Sequence, residues 1–316
     1  MVGFYAIIII LGLCLSKTFL KPNNICNILI NASVFGVLAL GQTLIMLVKE
    51  IDLSVGSAMA FAPTCAIFIS SKLMRIVEGG NNVTGGAALI VLLTFIIAVG
   101  VSFLNSLLIV KLKVPSLIAT LGVAYVLQGF TYMFFNGYSL YLSKIEGFNA
   151  LGTATFGFIP LTFVILVAIT AVLWILMSKT AFGNRIYSVG GNIKSARYAG
   201  IHTDRWKSCA FIISGVFVAL AALMYCSRME SIETVQGSGY ELTTIAIAVI
   251  GGTTLEGGRG KITSTFFAAI LLSLVLNVMS LCGLTSWYQT LLTGVIIIAC
   301  AVKHTFQYRK LDHSLA

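Results

Sequence analysis

The chain has 316 residues, of which 58% are apolar and only 9% are charged, and its mean hydropathy is +1.01. Soluble domains are about 45–50% apolar and about 25% charged, so this composition excludes a soluble globular protein and leaves no room for a separate catalytic domain. The formal net charge is +10. The basic residues stand singly at the ends of apolar runs, which is typical of membrane topology determinants and not of a surface that binds nucleic acid.

Ten apolar segments follow one another along the chain. A helix of about 20 residues crosses the ~30 Å hydrocarbon core of a bilayer. We therefore predict an all-α integral membrane protein with about ten transmembrane helices, at 2–20, 28–48, 53–71, 86–110, 115–135, 157–178, 208–226, 241–255, 262–282 and 284–302. The first segment has no basic leader and no cleavage site, so we expect an uncleaved span. The third and eighth are rich in small residues, and we expect them to be broken or re-entrant.

The basic residues predict the orientation of these segments. With the N-terminus inside and ten crossings, 14 of the 20 basic residues lie on the inner face and 6 on the outer face, whereas the ten acidic residues divide evenly. Because Lys and Arg favour the cytoplasmic side, we predict that both termini are inside. Residues 1–316 then form a single membrane domain. Its longest polar interruption, 179–207, is predicted to be a cytoplasmic loop.

Two parts of the chain carry a similar pattern. Asn105 precedes a Ser-x-x-x-Thr-x-Gly pattern at 116–122, and Asn277 precedes Ser-x-x-x-Thr-x-x-x-Gly at 286–294. In the predicted topology the two pairs of spans run in opposite directions. This arrangement indicates an inverted-repeat transporter architecture.

A short acidic motif follows the second span. Asp52, within the run Ile-Asp-Leu-Ser-Val-Gly-Ser at 51–57, can cap the following helix by accepting from backbone N–H groups. Alternatively, it is a fixed carboxylate beside a solute path, because a carboxylate at bilayer depth costs about 2.5–3.5 kcal/mol and seldom lies there without a role. We predict Gln42, Asp52, Ser54 and Asn105 as candidates for the solute path.

A glycine-rich run at 251–261 superficially resembles a phosphate-binding loop. That loop requires Gly, four residues, Gly-Lys and then Ser or Thr, whereas Leu255 replaces the first Gly and Ile262 replaces the Ser or Thr. The seven cysteines and three histidines lack the spacing of a metal site or a disulfide framework. We therefore predict a chain with no catalytic residues, no metal and no cofactor.

The polar loop contains the signals of a short helix. Asn192 is a favourable N-cap, and Gly200 is a favourable stop after the segment 193–198. This helix either connects two spans or docks onto a cytoplasmic partner.

Three motifs in the same order carry a resemblance to a known family. They are the Gln-Thr at 42–43 with the run at 51–57, the Gly-Gly-Asn at 190–192 with Ala-Arg at 196–197 and Gly-Ile at 200–201, and the glycine-rich stretch at 239–260. Over about 24–302 the chain resembles the ribose-type monosaccharide ABC importer permease family. The resemblance implies a type II ABC importer-like fold and a place in the bacterial inner membrane.

The resemblance also implies an assembly. Two permease subunits, the second being another copy or a paralogue, would join two cytoplasmic ATP-binding subunits and an external sugar-binding protein. The residues implied in coupling to the ATPase are Gly190, Gly191, Asn192, Lys194, Ser195, Ala196, Arg197, Gly200 and Ile201. Family members usually carry acids after Gly-Gly-Asn, whereas this chain has Lys194 and Ser195. On the predicted outer face, Arg75, Lys144 and Arg228 are candidates for contact with the sugar-binding protein.

Two alternatives remain open from the sequence. An ion-coupled secondary transporter is compatible with an inverted repeat, but it requires ionisable residues within the spans, and Asp52 and Glu241 lie only at segment ends. An ABC permease for a nucleoside, a signalling furanone or another small polar solute is equally compatible, because the sequence does not identify the solute.

Overall fold

The computed structural model describes residues 2–74, 83–134, 148–233 and 236–296, together with positions 136, 138, 140, 141, 298, 299 and 302. The predicted outer-face residues Arg75 and Lys144 lie outside this part of the chain. The helices are α1 (Val2–Leu15), α2 (Pro22–Leu47), α3 (Val55–Met74), α4 (Val83–Ser106, continued by a π-helical turn at Leu107–Lys111), α5 (Ser116–Phe134), α6 (Ala150–Thr153), α7 (Leu161–Lys179), α8 (Ala181–Gly191), α9 (Ile193–Tyr198), α10 (Thr203–Met229), α11 (Tyr240–Ile250), α12 (Ile262–Leu281) and α13 (286–296). Four two-residue strands, β1 (Leu140–Tyr141), β2 (Thr155–Phe156), β3 (Ile159–Pro160) and β4 (Ser231–Ile232), form two antiparallel pairs, β1 with β4 and β2 with β3.

Six of the described helices are long and apolar enough to cross a membrane: Pro22–Leu47, Gly86–Lys111, Ser116–Phe134, Leu161–Lys179, Thr203–Met229 and Ile262–Leu281. The all-α membrane class is therefore confirmed. The helices α1 and α11 are apolar but shorter, and the apolar stretch of α3 that qualifies is also shorter, Val55–Ser71. With 11 residues, α11 is too short to span alone. The count of about ten crossings and the inverted repeat stay predictions.

The structure changes the bounds of three predicted segments. The first helix ends at Leu15 and does not run to residue 20. A turn follows it, in which the Ser16 hydroxyl oxygen accepts from the Thr18 N–H at 3.2 Å. The second helix begins early, at Pro22, whose fixed φ suits the first turn of a helix. The interval 179–207 contains α8 and the start of α10 in addition to the short helix α9.

The core lies around α2 and α10, which are the most buried of the candidate spans. Small residues allow these helices to pack closely. A Cβ on Gly41 would lie 2.8 Å from the Ser214 hydroxyl oxygen, and one on Gly215 would lie 2.7 Å from that of Ser102. Helix interfaces in membranes are enriched in such small residues. The helices α4 and α7 are mostly exposed, as expected of lipid-facing spans.

The segments that were predicted to be cytoplasmic contact one another at one end of the bundle. The Gly258 N–H donates to the Leu47 carbonyl at 3.0 Å, and the Tyr187 hydroxyl donates to the Gly260 carbonyl at 2.9 Å. At the same end the Lys207 ammonium pairs with the Glu50 carboxylate. The predicted topology requires this grouping, and the compartment that this end faces stays a prediction.

Candidate solute path and coupling surface

The acidic motif forms a buried hydrogen-bonded network at the start of α3. The Oδ1 atom of Asp52 accepts from the Ser54 N–H at 2.8 Å and from the Ser54 hydroxyl at 2.6 Å. The Asn105 Nδ2, on α4, donates to the Ser54 hydroxyl oxygen at 2.8 Å. Asp52 therefore acts as a local cap, although its backbone donor is the residue immediately before the first turn.

Two hydroxyls of α5 hold the segment that leads into this network. The Ile51 N–H donates to the Ser116 hydroxyl oxygen at 3.3 Å, and the Leu53 N–H donates to that of Thr120 at 3.0 Å. This extended segment would otherwise leave its backbone donors unpaired, which is costly in a buried place. The α5 hydroxyls thus fix the entry of the chain into α3.

Gln42 lies apart from the network. It is fully buried on α2, and neither its side-chain oxygen nor its nitrogen has a hydrogen-bond partner among the described residues. Within the same part of the chain, the side-chain oxygen of Asn105 is also unpartnered. The structure therefore joins Asp52, Ser54 and Asn105 of the predicted path residues and leaves Gln42 separate.

A cavity of about 310 Å³ lies between α3, α5 and the turn that precedes α11. Its polar lining is Ser57, Gln128, Thr131, Gln236, Ser238 and Glu241, and its apolar lining is Leu53, Ala60, Leu121, Ala124, Tyr125 and Leu242. None of the four predicted path residues lines it. Two of the lining residues could have been identified from the sequence. Gln128 is a polar residue within an apolar segment, and Glu241 belongs to the third motif that carries the family resemblance.

The predicted short helix in the polar interval is confirmed as α9. The Asn192 Oδ1 accepts from the Ser195 N–H at 3.0 Å, and Gly200, with φ +77°, ends the helix in the left-handed region. The preceding helix α8 was not predicted from the sequence. Its buried residues Gly183, Ile186 and Val189 recur every three residues, which is a helical spacing.

The nine predicted coupling residues divide into buried and exposed sets. Gly190 is buried against the end of α2, where an added Cβ would lie 1.7 Å from the Leu47 carbonyl oxygen, and Ala196 is also buried. Ile201 is half-buried. The exposed members are Gly191, Asn192, Lys194, Ser195, Arg197 and Gly200. Tyr198, which is not among the predicted coupling residues, is 93% exposed on α9.

Polar contacts tie this surface to the rest of the bundle. Arg197 donates to the Thr203 hydroxyl oxygen at 3.0 Å and pairs with Asp204 at 3.3 Å, and Lys113 pairs with the same carboxylate at 3.4 Å. These exposed pairs contribute at most about 1 kcal/mol each. Burial raises the pKa of Tyr187 above its usual value, so its hydroxyl stays a donor at neutral pH.

At the opposite end, Arg228 is held by α2. Its guanidinium donates to the Oδ1 atoms of Asn31 at 2.9 Å and Asn27 at 3.0 Å. Of the predicted contacts with an external protein, Arg228 is the one that the described ranges include.

The comparisons with known proteins agree with this architecture. The family described as the branched-chain amino acid transport system permease component matches residues 24–301. The chain belongs to this family of transport permeases. The permease is 35% identical to the ribose import permease protein RbsC of Bacillus subtilis over 299 residues, which cover 94% of this chain and 88% of the relative. It is 31% identical to the RbsC protein of Escherichia coli K12 over 287 residues, covering 90% and 86% of the two chains.

A third relative is named for a different solute. The permease is 30% identical to the autoinducer 2 import system permease protein LsrC of Yersinia enterocolitica over 324 residues, which cover 98% of this chain and 85% of the relative. No solved structure matches. The resemblance of the sequence to ribose-type permeases is confirmed. In the described part of the chain, no group of three His, Cys, Asp or Glu residues could hold a metal ion.

Proposed function

We propose that this permease is the transmembrane subunit of an ATP-driven importer for a monosaccharide of the ribose type, and that it forms the translocation path. The observation that carries the proposal is the 35% identity to a ribose import permease over 94% of this chain. The assembly would contain two permease chains, identical or paralogous, two cytoplasmic ATP-binding subunits and an external sugar-binding protein. It would lie in the bacterial inner membrane with both permease termini inside, and ATP hydrolysis would belong to the separate subunits.

Within the single domain of residues 1–316, the interval 179–207 would dock onto the ATP-binding subunit. The exposure of Asn192, Lys194, Ser195, Arg197 and Tyr198 supports this role. Lys194 and Arg197 make the surface basic, so an acidic groove on the partner would complement it.

Contacts between this surface and the rest of the bundle could transmit a movement to the solute path. Gly190 packs on the last carbonyl of α2, and Lys207 pairs with Glu50, which lies two residues before Asp52. A displacement of α8 and α9 on ATP binding would therefore reach the network of Asp52, Ser54 and Asn105 through the segment after α2. In this proposal the network and Gln42 border the path near its inner end.

The similarity to the autoinducer 2 permease favours a second candidate function, the import of a small polar signalling molecule through the same machinery. Both candidates require ATP and a binding protein, and they differ only in the solute.

The test is uptake into proteoliposomes that contain the permease, its ATP-binding subunit and its binding protein. Labelled ribose should accumulate only when ATP is present inside, and accumulation should persist when a protonophore collapses the proton gradient. Vesicles with an ATP-binding subunit that cannot hydrolyse ATP are the control. Accumulation of autoinducer 2 without ribose would select the second candidate. Uptake by the permease alone, in ATP-free vesicles under an imposed ion gradient, would establish the secondary-transporter alternative.

A further inference from the structure

The candidate span α5 predicts that the cavity between α3 and α5 lies at the depth of the hydrocarbon core. Its α5 lining runs from Leu121 to Thr131 within the helix Ser116–Phe134. At a rise of 1.5 Å per residue, Gln128 lies about 18 Å from the start of this helix, which is near the middle of a ~30 Å core. Polar groups at this depth avoid lipid and instead border protein or a water-filled path.

Several of the polar lining groups have free hydrogen-bonding capacity. The side chains of Ser57, Gln128 and Ser238 make no hydrogen bond with any residue that the structure describes. By contrast, the Thr131 hydroxyl donates to the Leu127 carbonyl at 2.8 Å. A free amide supplies both donors and acceptors, and a hydroxyl supplies one donor and two acceptor lone pairs. The cavity can therefore form several neutral hydrogen bonds with a solute.

A carboxylate lies in the same wall. Glu241 lies in the first turn of α11, where the helix N-terminus favours negative charge, and its Oε1 accepts from the Gly239 N–H at 3.3 Å. The turn at 236–239 rests directly on α3. A Cβ on Gly56 would lie 2.2 Å from the Gly237 carbonyl oxygen and 2.5 Å from the Glu241 Oε2. Glycine at position 56 thus permits the contact that positions this carboxylate.

We propose that this cavity binds a neutral polyhydroxylated solute during its passage, through hydrogen bonds from solute hydroxyls to Glu241 and Gln128 and further bonds to Ser57 and Ser238. The inference rests on the proposed function and names a binding site within it. A carboxylate accepts from two adjacent hydroxyls, and the ring of Tyr125 offers an apolar surface to the carbon face of the solute. The volume of about 310 Å³ is at the lower end for small-molecule sites and suits a single monosaccharide.

The lining also predicts what the cavity rejects. Among the described residues, the lining contains no Lys, Arg or His, so the charge of Glu241 would repel an anionic solute such as a sugar phosphate. The rim residues Tyr125 and Leu242 are 68% and 51% exposed. The cavity therefore opens to the surface of this chain at these two residues.

The test uses the complete reconstituted transporter with labelled ribose. Glu241→Gln and Gln128→Leu should each lower the uptake rate about tenfold, which corresponds to about 1.4 kcal/mol. Both variants should retain ATP hydrolysis stimulated by the binding protein. The matched controls are Glu256→Gln, in an exposed loop, and Gln289→Leu, on α13, and both should transport at the wild-type rate. Ribose 5-phosphate should not compete with ribose.

The outcomes distinguish a failure of the proposed binding site from a failure of the proposed function. If the wild-type complex imports ribose with ATP and both cavity variants transport equally fast, this site is wrong and the proposed function stands. If the wild-type complex does not use ATP for uptake, the proposed function itself fails.

A Ser57→Cys variant covers the case in which the first two variants do not assemble. A small polar thiol reagent should block its uptake, and ribose supplied with the binding protein and ATP should slow that reaction several-fold. The wild-type chain under the same treatment is the control. A reaction rate that is unchanged by ribose would overturn the site.

Discussion

The network at the start of α3 predicts that Ser54→Ala destabilises the permease far more than removal of a nearby hydroxyl. The Ser54 hydroxyl oxygen accepts from the Asn105 amide at 2.8 Å, and its proton is donated to Asp52 at 2.6 Å. All three side chains are buried, with Asp52 only 2% exposed. The substitution therefore removes two hydrogen bonds and leaves a buried amide donor without a partner.

The magnitude follows from these two bonds. An intramolecular hydrogen bond contributes about 0.5–1.5 kcal/mol, and an unsatisfied buried donor costs about 1–3 kcal/mol. We expect the free energy of unfolding of Ser54→Ala to fall by about 3 kcal/mol, the middle of the combined range. For a chain of this length, the entropy of unfolding converts that loss into a Tm decrease of about 5 °C.

The assay is thermal unfolding of the purified permease in detergent. Ser57→Ala is the matched control, because Ser57 lies one turn further along and its hydroxyl makes no hydrogen bond within the described ranges; its Tm should change by less than about 1 °C. Asn105→Ala should lower the Tm, and in the double variant its effect should be smaller than in the wild type, with a coupling energy of about 1 kcal/mol. Equal Tm values for the two serine variants would refute the reasoning.

Three further predictions concern packing, coupling and orientation. Gly190→Ala should lower the Tm by overpacking the last carbonyl of α2, at a cost of about 1–3 kcal/mol, whereas Gly191→Ala, with no atom within 4 Å of the new Cβ, should melt like the wild type. Arg197→Glu, which breaks an ion pair on the basic surface, should reduce both ribose uptake and co-purification of the ATP-binding subunit; unchanged recovery and uptake would contradict the docking role. In a chain without its native cysteines, Lys194→Cys should react with an impermeant reagent only after the membrane is opened, and Lys144→Cys should react in intact cells. The opposite pattern at either position would reverse the orientation.

The sequence by itself determined the class of the protein, most of its helices and the local signals at their ends. Hydropathy over about 20 residues is a local property, so the long apolar runs were identifiable without tertiary contacts. The Asn192 cap and the Gly200 stop were identifiable for the same reason, since each acts on backbone groups a few residues away. The family resemblance likewise rested on motifs in sequence order.

Only the tertiary structure decided which polar side chains meet. Ser54 and Asn105 are 51 residues apart in the chain and meet because α3 packs on α4, whereas Gln42, equally polar and equally buried, joins no partner among the described residues. The cavity combines α3, α5 and the turn before α11, and the four residues chosen from sequence do not line it. The rotation of each helix about its axis decides such meetings. Close contacts between distant segments set that rotation, for example Gly41 on Ser214, and the hydropathy of a single span carries no information about them.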